Sequence, residues 1–274
     1  PSMPRQGAAR PAKEPRAEPT APGAPWLHGR HAVLAAVANP ARRIARLLAL
    51  DTTAAELEAA RAEAPSRRPP VEVVSRAELE RFIGGGRDEA AHQGLAALVE
   101  PLPDLALPEL LEDLGGAPAI LAVLDQVTDP RNVGALLRSA AAFAIQAVVV
   151  QDRHAPPVTG ALAKAASGAL ESVPLVRVVN IARALDALRQ ADFHLLGLCA
   201  EATRTLAESL GESPRPQRLA FVLGAEDRGL RRLTRERCDA LARIPIQAPA
   251  ELPGLDSLNV AVAAALAFYE ARRR

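Results

Sequence analysis

Residues 119–143 read Ala119-Ile-Leu-Ala-Val-Leu-Asp125-Gln-Val-Thr-Asp129-Pro130-Arg131-Asn132-Val-Gly134-Ala-Leu-Leu-Arg138-Ser-Ala-Ala-Ala-Phe143. Ala119 to Leu124 is an unbroken apolar run of strand length, a polar turn follows, and Asn132 to Phe143 has helical spacing. Another apolar run, Ala147 to Gln151, comes directly after. A strand, a helix and a strand at these lengths imply parallel strands joined by a crossover.

The same alternation continues outward. Thr159 to Ser167 and Ile181 to Gln190 read as helices. Leu175 to Val179, His194 to Cys199, Leu219 to Leu223 and Ala242 to Ile246 read as strands, with helices expected after Glu226 and after Ser257. Residues 119–274 are therefore expected to form an α/β domain around a parallel sheet.

Residues 26–100 carry a second, smaller α/β pattern: a helix from His31 to Ala38, a strand from Ile44 to Leu50, a helix from Thr53 to Ala64 and a short strand from Val71 to Val74. Ser75-Arg-Ala-Glu78 is a capping box, in which the serine accepts the exposed N–H three residues on and the glutamate reaches back. The helix it opens ends at Gly84-Gly85-Gly86, and Gly94 to Val99 returns as a strand. Residues 101–118 hold four prolines and a glycine pair and read as a linker. Residues 1–25, rich in Pro, Ala, Arg and Glu without apolar periodicity, read as a disordered tail.

Composition narrows the classes of function. Half of the 274 residues are apolar, and the net charge of +1 argues neither for nor against nucleic acid, so local charge must carry any such case. The basic residues are nearly all arginine, with Lys13 and Lys164 the exceptions. Cys199 and Cys238 are too few for a disulfide framework and fit a reducing compartment. The histidines have no zinc-site spacing with them, so no metal is expected. No apolar run approaches the ~18 residues of a membrane span, and no secretory signal core stands at the amino terminus, so a cytoplasmic protein is expected.

Three segments carry the chemistry. The first is Asn132-Val-Gly134-Ala-Leu-Leu-Arg138-Ser, with Asn132 suited to cap a helix and Gly134 leaving room for a close approach to its first turn. The second, Phe221-Val-Leu223-Gly224-Ala-Glu226-Asp-Arg-Gly229-Leu, places a glycine and a carboxylate where a strand ends. The third runs from Ile244-Pro-Ile246 to Ser257-Leu258-Asn259-Val, with Asp256 or Ser257 as the expected cap of the last helix. Each has an ordinary reading as a cap or a turn. Together they place polar groups from distant segments at one sheet edge, where open α/β sheets bind ligands. Neither the G-x-G-x-x-G dinucleotide fingerprint nor a phosphate-binding P-loop is present, which argues against an NAD-dependent oxidoreductase.

In order and content these motifs resemble the SpoU (TrmH) family of S-adenosylmethionine-dependent RNA 2′-O-methyltransferases, and the resemblance covers 26–274. Gly29-Arg-His31, Ala91-His92-Gln93-Gly94 and Lys164-Ala-Ala-Ser167-Gly168-Ala-Leu-Glu171-Ser-Val-Pro174 are similar to the branch that methylates a guanosine of 23S ribosomal RNA. The resemblance implies a trefoil-knotted SPOUT methyltransferase domain, a smaller substrate-binding domain like ribosomal protein L30e, and a homodimer acting on RNA rather than on DNA or at a membrane. It implies cofactor contacts at Leu223, Gly224, Ile244, Ile246 and Leu258, and a polar catalytic set at Arg138, Asn132, Glu226, Ser257 and Asn259. The chain departs from the family at Gln247 to Asp256, a longer and more proline-rich loop than usual, and at Ala144, where the family often has glycine. The alternatives are a transfer-RNA methyltransferase of the same family and a non-catalytic RNA-binding assembly factor with the same fold.

Overall fold

The computed structural model describes residues 26–84, 92–153, 155–158, 160–211, 217–226, 228–247 and 257–273. The expected tail 1–25, Gly85 and Gly86 of the glycine run, Ala91, Thr159 and the loop residues 248–256 lie outside them.

The amino-terminal unit comprises β1 (Trp26–His28), α1 (Arg30–Ala38), β2 (Ile44–Ala49), α2 (Asp51–Ala62), β3 (Val71–Val73), α3 (Arg76–Ile83) and β4 (Leu95–Val99). Its four strands lie in the order β1-β4-β2-β3. The capping box is present: Glu78 N donates to Ser75 Oγ at 3.3 Å, and Ser75 N donates to Glu78 Oε2 at 2.9 Å. Gly84 closes α3 in the left-handed conformation at φ 94°, which a glycine adopts without a Cβ clash. Strand β1, an edge strand of three residues, is too short for a periodicity to announce.

The segment expected as a linker contains α4 (Leu107–Leu114). Its prolines are compatible with that helix because Pro108 sits in the first turn, where no intrahelical N–H is needed. Leu107 and Leu110 are buried in the core beneath one face of the carboxy-terminal sheet.

That sheet is built from β5 (Ala119–Asp125), β6 (Ala147–Gln151), β7 (Leu175–Val178), β8 (His194–Leu198), β9 (Arg218–Gly224) and β10 (Ala240–Ala242). All six strands are parallel, in the order β10-β8-β9-β5-β6-β7. The connecting helices are α5 (Pro130–Ala142), α6 (Gly160–Ala166), α7 (Ile181–Gln190), α8 (Leu206–Leu210) and α9 (Arg232–Arg235), and α10 (Val260–Arg273) ends the chain. Alternate residues of β5 face opposite layers: Ala122 and Leu124 join one core, Leu121 and Val123 the other. This is the period-two signature of a strand covered on both faces.

The chain builds outward from β5 through β6 to β7, then crosses to the other side of β5 to lay down β8, β9 and β10. The strand order thus reverses between β5 and β9, whose last paired residues are Asp125 and Gly224. A crevice opens at the carboxyl ends of strands at such a switch point.

Candidate active site

The first and second motifs leave the two strands that flank this switch point. After β5 the chain turns through Asp129, whose side chain caps α5 by accepting from Arg131 N at 2.8 Å. Pro130 takes the first helical position, so the helix starts before Asn132. Asn132 is therefore not the cap expected from the sequence. It lies within the first turn with its amide free to reach outward.

After β9 the chain folds back tightly. Gly229 N donates to Ala225 O at 2.8 Å, and Gly229 holds φ 61°. A Cβ on Gly224 would stand 2.1 Å from the carbonyl carbon of Gly229, so only glycine fits. That close approach is made by the loop's own backbone. Gly134 is likewise occupied from within: a Cβ would lie 2.5 Å from Ala165 Cβ and 2.8 Å from Leu162 O, so this glycine lets α6 pack on α5.

The fold back of the second motif carries Glu226 to the amino terminus of α10. That helix begins at Val260 and its cap is Asn259, whose Oδ1 accepts from Ala261 N at 3.0 Å and Val262 N at 3.4 Å. Asp256, expected as a possible cap, lies outside the described residues. Ser257 is exposed two residues before the cap, and its side chain makes no hydrogen bond among the described residues. Asn259 takes the capping role because its short side chain folds back on the first free N–H groups.

Asn132, Glu226 and Asn259 meet. Glu226 Oε1 accepts from Asn132 Nδ2 at 2.9 Å, from Asn259 Nδ2 at 2.6 Å and from Val260 N at 3.2 Å. Asn259 Nδ2 also donates to Asn132 Oδ1 at 2.9 Å. The carboxylate thus complements the start of α10, a helix far from it in sequence, where negative charge is favoured. Glu226 and Asn259 are exposed and Asn132 is half-buried, so the cluster faces solvent. Such a cluster can accept a proton or orient a hydroxyl.

Arg138 does not join this cluster. It lies six residues beyond Asn132 on α5, is exposed, and has no hydrogen bond or ion pair among the described residues. Of the expected cofactor positions, Leu223 is buried, Gly224, Ile244 and Leu258 are half-buried, and Ile246 is 36% exposed. Ile244 and Ile246 follow β10 and so leave the same edge of the sheet as Gly224. Partly exposed apolar side chains at this edge suit an adenosine, which needs flat apolar contact.

Sequence reasoning missed one pair at this edge. Asp125, the last residue of β5, is fully buried, and its Oδ1 accepts from Arg231 Nε at 2.7 Å while Oδ2 accepts from Arg231 N at 3.2 Å. Arg231 Nη2 also donates to Gln151 Oε1 at 3.3 Å, tying the loop after β9 to the ends of β5 and β6. The readable signal was a carboxylate terminating an otherwise apolar buried strand, since such a charge requires a partner.

Residues 119–269 match the model of the SpoU rRNA Methylase family, and residues 26–105 match that of RNA 2′-O ribose methyltransferase substrate binding. The chain is 37% identical over 252 residues to the 23S rRNA (guanosine-2′-O-)-methyltransferase RlmB of Pseudomonas putida, covering 90% of this chain and 96% of that protein. It is 40% identical over 197 residues to the protein of that name from Escherichia coli, covering 71% of this chain and 76% of the relative. Among solved structures, the SpoU methyltransferase AviRb from Streptomyces viridochromogenes in complex with AdoMet superposes with a TM-score of 0.70 at 23% identity, covering 90% of this chain and 89% of that one. An RNA 2′-O ribose methyltransferase gives 0.68 at 25% identity, with 90% and 87% covered. On the match of both family models and the identity over nearly its whole length, the chain belongs to the SpoU rRNA methylase family.

Proposed function

We propose that this protein transfers a methyl group from S-adenosylmethionine to the ribose 2′-hydroxyl of a guanosine in 23S ribosomal RNA. The observation that carries this reading is the meeting of Asn132, Glu226 and Asn259 at the switch point of the sheet, in a chain 37% identical to a 23S rRNA guanosine methyltransferase.

Leu223, Gly224, Ile244, Ile246 and Leu258 would hold the cofactor, which supplies a methyl already activated on a sulfonium. The work left to the protein is alignment of the acceptor hydroxyl and handling of its proton. Asn132 and Asn259 orient the Glu226 carboxylate, and Ser257, two residues before Asn259, would add a further polar contact. Arg138 keeps its positive charge throughout catalysis, because guanidinium is not deprotonated in proteins. Its role in this reading is to hold the neighbouring phosphate and to stabilise charge developing on the 2′-oxygen.

Arg138 lies apart from the polar cluster of its own chain, so the reading includes a homodimer in which a second copy completes the site. Val262, Leu266 and Tyr269 support it: they are 49%, 41% and 50% exposed and recur at helical spacing along one stripe of α10. The trefoil knot, the L30e-like character of the amino-terminal unit, its boundaries at 26–100 and a cytoplasmic location belong to the same proposal.

Methylation of 23S ribosomal RNA from a strain lacking this gene, with radiolabelled S-adenosylmethionine and mapping of the 2′-O-methyl site, tests the reading. One labelled guanosine is expected. Labelling of transfer RNA alone would favour the other member of the family. Failure of the dimer to bind S-adenosylmethionine would leave the assembly-factor reading in its place.

A further inference from the structure

Two of the motifs that single out the branch, Gly29-Arg-His31 and Lys164 to Pro174, take no part in the polar cluster. They face each other across the seam between the two units. Gly168, at φ 90°, has no room for a Cβ: one would stand 2.8 Å from Ala35 Cβ and 2.9 Å from His31 O, both in α1. Three residues on, Glu171 turns its carboxylate into the seam. It accepts from Arg42 Nε at 3.1 and 3.0 Å, from Arg42 Nη2 at 2.6 Å and from Asn39 Nδ2 at 2.8 Å. The Arg42 and Glu171 side chains are only 3% and 5% exposed.

The Arg42 loop is itself braced. Arg42 Nη1 donates to Glu100 O at 2.8 Å, and Arg68 donates to the carbonyls of Val37, Arg42 and Asn39 at 2.9, 2.8 and 2.5 Å. Around these groups the buried apolar residues of both units form one continuous cluster, from Val33 and Leu47 to Leu136 and Leu162.

We propose that Arg42, Asn39 and Glu171 are positioning residues that hold the amino-terminal unit at one angle to the methyltransferase unit, so that RNA bound by the first is presented in register to the cluster of Asn132, Glu226 and Asn259. Apolar contact tolerates sliding. A planar guanidinium clamped on a carboxylate from two sides fixes both distance and direction. Burying such a pair is a poor source of stability compared with apolar packing, which leaves specification of geometry as the role that accounts for it here. The route to the site is short. Glu171 follows α6, α6 packs on α5 at Gly134, and α5 carries both Asn132 and Arg138.

This inference rests on the RNA methyltransferase reading, and its test separates the two. In full-length protein, Arg42→Lys keeps the charge but loses the fork, Glu171→Gln keeps the shape but loses the charge, and Ala35→Val wedges the seam while leaving the pair intact. Hydrogen exchange needs no RNA: amides of 35–44 and 167–173 are expected to exchange at least about tenfold faster in the variants, and to be accelerated more than those of β5 and β9. Steady-state methylation is expected to show KM for 23S RNA raised about ten- to a hundredfold, kcat at saturating RNA nearly unchanged, and S-adenosylmethionine affinity unchanged. Seam exchange that rises without any change in KM for RNA or in the nucleotide methylated overturns the proposal and leaves the pair as a fastener only. So does a seam that stays closed in all three variants. Absence of methylation by the wild-type protein, with seam exchange as expected, overturns the functional reading instead.

Discussion

Two sites in this molecule use the same pair of side chains to different ends. At the seam, Asn39 donates to Glu171; at the sheet edge, Asn132 donates to Glu226. Glu171 is enclosed and neutralised by Arg42, so its bonding capacity is spent within the protein. Glu226 is exposed, and among the described residues its partners are two amides and a backbone N–H, all neutral. A carboxylate with a buried cation is a structural joint. One left with neutral donors at a switch point has no cation of its own among the described residues, which is why the proposal gives it a role toward a ligand.

The largest expected effect breaks this comparison at the seam. Glu171→Ala leaves the Arg42 guanidinium buried without its counter-charge, and chemical denaturation should show a loss of about 3–5 kcal/mol. Glu226→Ala should do the reverse: stability within about 1 kcal/mol of wild type, as at most exposed positions, but kcat lowered about 100-fold or more. Equal stability losses in the two variants would show that exposure does not separate the roles.

A smaller effect concerns the turn after α5. Ala144 has φ 50° and stands beside the Phe143 carbonyl that accepts from Arg272 Nε at 2.8 Å. Ala144→Gly should raise stability by about 1 kcal/mol, the cost of a left-handed alanine, measured as a shift in denaturation midpoint. The subtlest prediction concerns thiol chemistry. Burial pushes the Cys238 thiol up to about 12, so in native protein it should resist alkylation at pH 9, where an unperturbed thiol of pKa about 8.5 is mostly thiolate. Reaction should follow only on unfolding or as the pH rises toward that value.

Most of the carboxy-terminal fold was legible because its strands are apolar runs covered on both faces and its glycines punctuate them. The strand order was not, since periodicity says nothing about which strand lies beside which. At the site several local roles differ from those the sequence suggests. Asn132 reads as a cap until Pro130 is given its preferred first position, which moves the cap to Asp129. Gly134 reads as room for a close approach, and helix α6 is what makes it; Gly224 reads as a cofactor contact, and the Gly229 backbone packs against it. Four prolines made 101–118 read as a linker, although leucines at helical spacing bury α4 against the sheet. The Arg42–Glu171 joint spans 129 residues of chain and has no local pattern to betray it.

In the proposed function, three ordinary-looking turns form one methyl-transfer site. The most direct measurement is single-turnover transfer of labelled methyl from S-adenosylmethionine to 23S ribosomal RNA, comparing wild type with Asn132→Ala, a variant that removes no helix cap. One 2′-O-methyl on one guanosine is expected from the wild type, with the Asn132→Ala rate reduced about 100-fold and cofactor affinity retained. A folded Asn132→Ala protein that methylates the same guanosine at the wild-type rate would contradict the account.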